Sequence, residues 1–511
     1  MNRLLLAAVM VSGSLALADD VKPPAPGVSL TVYSAADPAQ FDPQQFLLQQ
    51  LQYGSNRGGP ALPGYGVVRD VRKIVLQDGA TNVIKITDVA AGIDPTTVKF
   101  RSFTDPDASV LEQSFEYDLV SPAKLLQKYV DQKVVIERAI GDGKLEEITG
   151  TLLSAENGLV LQDAAGGVRV INGYSGVRLA GAGDLITKPT LVWNLLTQKP
   201  GEHLAEISYQ TSGITWRSDY SLVLSADETN TDVGSWVTLL NQSGATYPNA
   251  TLKLVAGDVQ RVQPEQYNDR RVMASRAMAV AGEAGAGFKE KSFFEYHLYT
   301  LGRPTTINSN STKQLELFPQ KAGVPIEKVY VYYGLPAQFH NWFAQSPMTD
   351  RDLGNDSNKK VDIYLRMKNE EQAGLGIPLP AGRVRVYKRD ADDGNVEFIG
   401  EDVIQHTPKN ESLLIKLGSA FDLVGERKQT NFTANEARKE ITESFEIKLR
   451  NRKDNDPVTI LVKENLFRWA TWEIIDSSTK WEKQDARTIH FPVDLKPGEE
   501  KTVTYTVRYT W

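Results

Sequence analysis

The sequence predicts a mainly β, multidomain protein: antiparallel β-sandwiches, the C-terminal part immunoglobulin-like, with an SH3/Sm-like small barrel and two short helices. Three observations carry this. Apolar and polar residues alternate through most of the chain, for example at 82–87 (NVIKIT), 328–332 (KVYVY), 361–366 (VDIYLR), 444–449 (SFEIKL) and 502–507 (TVTYTV), and a period of two marks a half-buried strand. Gly, Pro, Asn and Asp break these runs at the intervals usual for sandwiches and small barrels. The 511 residues, 41% hydrophobic and 24% charged, suffice for about three domains with cores of their own.

Taken in order, residues 1–18 read as a secretory signal peptide, with Arg3 ahead of an apolar run from Leu4 to Val11 and Ala16-Leu17-Ala18 before the cut. The mature chain is then exported, periplasmic or extracellular, and loss of Arg3 takes the net charge from −7 to −8. Residues 19–66 form a Pro/Gly-rich segment with a helix begun by Asp42-Pro43, striped by Phe46, Leu47 and Leu51 and stopped at Gly54. A Gly/Pro linker or surface crossing fills 54–66. Residues 67–120 supply strands that pair with the main sandwich. Ser121-Pro122 starts the second helix, with Leu125, Leu126, Tyr129 and Val130 on one face. Within 121–185, five short strands at 133–140, 147–154, 158–162, 168–171 and 177–179, joined by Gly-containing turns, make the small barrel. A large sandwich spans 186–435, interrupted at 271–290. There 273–287 (MASRAMAVAGEAGAG) lacks bulky side chains and reads as a mobile excursion, or as a short amphipathic helix through Met273, Ala277 and Val280. Residues 436–511 form the immunoglobulin-like sandwich, with hairpin punctuation at 451–457 and 496–499.

Composition excludes several functions. With no Cys, the chain has no disulfide scaffold, thiolate zinc site, thiol nucleophile or cysteine-linked lipid anchor. No later window is apolar over the ~18–20 residues of a transmembrane segment, and no Lys/Arg run suits nucleic acid. The His at 203, 297, 340, 406 and 490 lie too far apart for a helical metal pair. Gly173-Tyr174-Ser175-Gly176 is one residue short of a nucleophile elbow. Asp390-Ala391-Asp392-Asp393-Gly394-Asn395 has its Gly one place early for a calcium loop and reads as a hairpin turn. Gly282, Gly285 and Gly287 lack the strand and helix that a phosphate loop needs. No catalytic residue, metal ligand or cofactor is assigned. The eight Trp offer packing anchors or sugar platforms, and His340-Asn341-Trp342-Phe343 is the candidate exposed aromatic patch. The alternation of Val503, Tyr505, Val507, Tyr509 and Trp511 resembles an outer-membrane strand, but charges recur through the other strands and a sandwich edge fits better.

Several stretches beyond about Lys188 carry a family signal: Ile214 to Tyr220 (ITWRSDY), Phe294 to Pro304 (FEYHLYTLGRP), Ser311 to Gln314 (STKQ), Gly382 to Tyr387 (GRVRVY), Gly400-Glu401-Asp402 with His406-Thr407-Pro408, and Leu417 to Asp422 (LGSAFD). On these the chain resembles the exported bacterial family that includes mucoidy inhibitor A, whose large C-terminal domain has no established activity. The resemblance implies a link to capsular or extracellular polysaccharide. The short helix and small barrel here replace the long coiled-coil segment of that family's commoner layout. Within the stretches, Trp216 and Tyr220 share a strand face as core anchors. Glu295, Lys313 and Glu401 are the charged members, readable as ion pairs or, with Trp342, as a ligand rim. The expected function is a non-enzymatic scaffold or binding protein of the cell envelope, with an envelope protein or a polysaccharide as partner. Carbohydrate binding or modification in a cleft between sandwiches is the alternative.

Overall fold

The computed structural model describes residues 24–34, 41–53, 62–77, 82–117, 121–140, 144–156, 158–181, 186–257, 259, 288–340, 342–354 and 357–511. The leader, most of the 54–66 crossing and the 273–287 excursion lie outside the described residues. Strands dominate, as the alternating sequence requires, and no helix among the described residues is long and apolar enough to cross a membrane.

The chain divides into two units, one containing Val67–Gln210 and the other Leu30–Gly66 with Thr211–Trp511. In the first, Tyr65–Leu76 and Ile93–Ser102 flank Gly201–Ser212, and Thr190–Leu196 lies between Asn82–Thr87 and Ser109–Glu116. The helix begun at Ser121-Pro122 is a single short one, Pro122–Lys128, where the Ser121 hydroxyl accepts from the Lys124 amide at 3.3 Å. The five strands expected of a small barrel are present in the order Gly176–Arg178, Lys133–Ala139, Leu145–Ser154, Leu159–Gln162, Val168–Ile171. They curl over Val134, Ile136, Leu152, Leu159 and Leu161, but the first and last strands share no ladder and the sheet stays open.

The second unit is built on a 14-stranded sheet. Its main path runs Val396–Ile404, Gly382–Arg389, Ile214–Leu224, Asn230–Asn241, Lys321–Tyr333, Lys360–Lys368, Ser412–Asn435, Glu440–Asn451, Glu500–Thr510, Trp472–Ser477. Two pairings depart from the antiparallel rule: Ile214–Leu224 with Gly382–Arg389, and Lys321–Tyr333 with Val458–Asn465. The 24-residue strand Ser412–Asn435 joins the two halves of the path. Its first part pairs with Lys360–Lys368 and its second with Glu440–Asn451, in a hairpin that runs through 435–436. Beyond it, Glu440–Asn451 alternates buried and half-buried residues without a break. Its inward side chains Phe445 and Ile447 share a core with Ile460, Phe491 and Tyr505, the two-layer packing expected of a sandwich.

The helix Pro43–Tyr53 belongs to this unit. Asp42 caps it, accepting from the Gln44 and Gln45 amides at 2.8 and 3.0 Å. The same carboxylate pairs with Arg383 at 2.7 Å and stands 3.8 Å from Arg217, whose guanidinium donates to the Phe41 carbonyl at 2.9 Å. Two arginines from the ITWRSDY and GRVRVY stretches thus tether this N-terminal helix to the strands Ile214–Leu224 and Gly382–Arg389.

Candidate functional site

The strand Val396–Ile404 ends the sheet path, yet its second half returns to meet Ser412–Asn435. Asp402 accepts a bond from the Lys416 amide at 2.7 Å. A Cβ on Gly400 would stand 2.6 Å from the Leu417 carbonyl oxygen, so only glycine allows the approach. The seam opens further along. Gly418 adopts φ +155°, and the pairing then jumps from Ser419↔Asp362 to Val424↔Lys360. Ala420 to Leu423 stand against Val361 alone, a bulge that throws Phe421 outward until it is 97% exposed. Between this bulge and the free end of Val396–Ile404 lies a cleft of about 440 Å³, within the usual range for ligand sites. Leu224, Ile363 and Leu365 contribute its apolar surface, with Ile399 and Phe421 from the two seam strands.

Polar groups gather at one side. Glu228, itself in a left-handed conformation at φ 59°, receives Lys388 at 2.6 Å and Lys328. Lys453 donates to the Tyr330 hydroxyl at 3.1 Å and stands 3.4 Å from Asp456. Burial works to raise the Glu228 carboxyl, but the bonds from the two lysines outweigh it and hold the pKa below its ordinary value. Burial likewise works against the Lys328 ammonium, and the Glu228 bond overrides it and raises that pKa. Lys453 is raised too, its bond to Tyr330 outweighing burial. A second hollow of about 610 Å³ shares Glu228, Lys328, Tyr330 and Lys453. Against Lys328, Lys388 and Lys453, the cleft sets Glu228 and Asp422, a net charge of 3 − 2 = +1. Such a lining suits a ligand with an apolar body and an acidic group; Glu228 is paired with Lys328 and Lys388, and Lys453 with Tyr330 and Asp456. Among the described residues no three His, Asp or Glu are placed to hold a metal.

A second polar cluster is sealed in the sandwich. Arg427 pairs with Glu464 at 2.9 Å and Arg468 with Glu443 at 2.8 Å, all four side chains at most 3% exposed. Tyr505 donates to Glu464 at 2.6 Å and Gln429 to Glu443 at 2.9 Å. Arg468 also donates to the carbonyls of Met348 (3.0 Å), Asp350 (2.5 Å) and Leu353 (3.0 Å), and Arg427 to that of Gly354 (3.1 Å). The cluster therefore straps the irregular segment 348–354 onto the sheet. Burial raises the Glu443 carboxyl despite Arg468 and Arg427. Closed on all sides and spent on backbone carbonyls, it is a tether.

The residues singled out in the sequence fall in separate places. Glu295 is exposed at the turn between Phe288–Phe293 and Tyr296–Leu301. Lys313 donates to the Thr306 carbonyl at 2.7 Å, and Glu401 stands 3.4 Å from Arg385 of the neighbouring strand. These three do not line the cleft. Trp342 is half-buried against Phe339 and Phe467, while its neighbour Phe343 is 48% exposed with the Arg487 guanidinium over its ring at 3.7 Å. Trp216 is 1% exposed and donates to the Val32 carbonyl at 3.1 Å. Tyr220 donates to the Pro380 carbonyl at 2.8 Å, and burial pushes its hydroxyl pKa up. Sequence reasoning passed over Lys328, Lys388, Lys453, Glu228 and Phe421. Phe421 lies inside the LGSAFD stretch, where a Gly followed by an unpaired aromatic was the available signal of a bulge.

No curated protein matches the chain. A profile described as a domain of unknown function, DUF4139, matches residues 205–511, which takes in the cleft, the seam and the buried arginine cluster. The match covers 307 of the 511 residues (205 to 511 inclusive), and the chain accordingly belongs to the DUF4139 family.

Proposed function

We propose that this protein is an exported, non-enzymatic binding protein of the cell envelope and that the cleft beside Phe421 is where its partner is held. The carrying observation is the cleft itself: an apolar surface and a fully exposed ring beside three ammonium groups, two of which hold Glu228 between them. That inventory suits recognition of an acidic, partly apolar partner and supplies no group poised to attack a bond. Export rests on the leader pattern at 1–18. Cell fractionation with N-terminal sequencing tests it: a mature chain beginning at Asp19 in the envelope or medium is expected, and a cytosolic chain that keeps Met1 refutes it.

A pull-down from envelope extract, compared between the natural chain and Phe421→Ser, tests the binding role. The expected result is one or more partners retained by the natural chain and lost in the variant. Turnover of a polymer by the purified protein would refute the non-enzymatic reading. The second reading, carbohydrate binding, is favoured by the Phe421 ring, which offers a stacking platform, and by the resemblance to the mucoidy inhibitor A family. A glycan array spanning acidic and neutral polysaccharides tests it, and silence across both classes removes it.

A further inference from the structure

Two strand edges face each other across this cleft, and they suggest what enters it. Val396–Ile404 is the terminal strand of the sheet path, paired on one side with Gly382–Arg389. Residues 412–419 pair on one side with Lys360–Lys368, and Glu440–Asn451 covers the other side only from Leu423 onward. The Lys416 amide, turned toward Asp402, shows that this uncovered side faces the terminal strand. The two edges touch at Gly400 and Leu417 and then diverge around the cleft. Val396 (44%), Phe398 (56%) and Ile399 (37%) stay exposed at the open end, and Ile399 lines the cleft together with Phe421. Main-chain N–H and C=O groups on a strand edge are a template for another strand. A sugar has no matching ladder of alternating donors and acceptors.

We infer that the seam is a strand-acceptor site whose ligand is an extended acidic polypeptide segment, laid along the edge of Val396–Ile404. Its apolar side chains alternate onto Leu224, Ile363 and Phe421, and its carboxylates meet Lys328, Lys388 and Lys453. The net +1 of the lining selects acidic over basic segments, and the Gly400–Leu417 contact closes one end of the slot and sets where the segment stops. This inference rests on the reading of the cleft as a binding site.

The test uses the full mature chain and three probes: a decapeptide alternating Val and Glu, the same peptide N-methylated at every second residue, and an oligoglucuronate. Isothermal titration gives the affinities and hydrogen exchange gives the location. The Val/Glu peptide is expected to bind and to slow exchange at 396–399 and 418–422. Each blocked N–H is expected to weaken binding roughly three- to tenfold. The pair Lys388→Gln with Lys453→Gln, both half-buried in the cleft wall, is expected to weaken binding several-fold and flatten its salt dependence. Equal binding of the N-methylated peptide overturns the strand inference. Binding of the oligoglucuronate alone overturns it too while leaving the cleft a binding site. Failure of all three probes, with Phe421→Ser also without effect in the pull-down, brings down both readings.

Discussion

Replacing Arg468 by Met tests whether the buried cluster is a tether. Met keeps most of the volume and the contacts with Phe432 and Phe467, over whose rings the guanidinium lies at 4.8 and 5.6 Å. What it removes is the charge facing Glu443 and the donors to four carbonyls of the 348–354 segment, those of Met348, Asp350, Arg351 and Leu353. Those carbonyls can recover water once the segment lifts, so their loss is discounted. Glu443, 1% exposed, cannot. Breaking a buried pair from one side costs about 3–5 kcal/mol, which for a unit of this size lowers Tm by roughly 2–4 °C per kcal/mol. Urea unfolding followed by tryptophan fluorescence reads the loss. Trypsin reads it locally, because cleavage after Arg351 requires the strap to open. The double variant Arg468→Met with Glu443→Leu should recover most of the stability, to within about 1–2 kcal/mol, while its strap remains as open to trypsin as in the single variant. A single variant that loses under about 1 kcal/mol, or a double variant no better than the single, refutes the argument.

Two carboxylates predict opposite pH slopes. Glu443 is raised by burial above its ordinary 4.5, so its contribution is fully present below that value and is lost as pH rises through the folded one; Glu443→Gln should gain on the natural chain over that interval. Glu228 is held below 4.5 by Lys328 and Lys388 against burial, so its contribution is present above 4.5 and lost as pH falls through the folded value; Glu228→Gln should lose its disadvantage on acidification. Urea midpoints across the acidic range check both signs. Gly425→Ala should destabilise by about 1–3 kcal/mol, because its Cβ would overlap the ring of Tyr332, which is 0% exposed and bonded to the Asn358 carbonyl at 2.6 Å. A thermal melt unchanged by the substitution would contradict that packing.

Alternation and punctuation predict strands and turns well because they record a local fact, which side of a ribbon meets water. The short strands of the 121–185 region and the caps at Asp42 and Ser121 were legible for this reason. Pairing is not local. Nothing in 382–387 announces that it lies parallel to 214–224, or that Arg383 reaches Asp42 more than three hundred positions away. The candidate site suffered most from this. Lys328 sits in an ordinary strand repeat, and only the fold brings Lys388 and a left-handed Glu228 beside it. The charged residues of the family stretches drew attention because they were quotable as motifs, yet Glu401 meets Arg385 in simple cross-strand pairing and Lys313 is spent on a backbone carbonyl.

The geometry of Ser412–Asn435 explains why a cleft sits where it does. Pairing with Lys360–Lys368 slips by one residue between Tyr364↔Lys416 and Ile363↔Gly418, and by three more between Asp362↔Ser419 and Lys360↔Val424. Because side chains alternate with period two, either slip alone would turn the rest of the strand inside out. The total of 1 + 3 = 4 is even. Leu413 and Ile415 point inward before the irregularity, and Leu423 and Arg427 are buried after it, so both halves keep their inward face. The larger slip releases Ala420, Phe421 and Asp422 from the ladder, and those three residues line the cleft. Deleting Ala420 and Phe421 together leaves an even slip. That variant should fold, keep the Arg427–Glu464 pair and lose cleft binding. Deleting Phe421 alone leaves an odd slip that would drive Arg427 toward water and Lys428 into the core, and it should fail to fold. Circular dichroism with urea unfolding separates the outcomes, and equal stability of the two deletions would show that the register does not govern this strand.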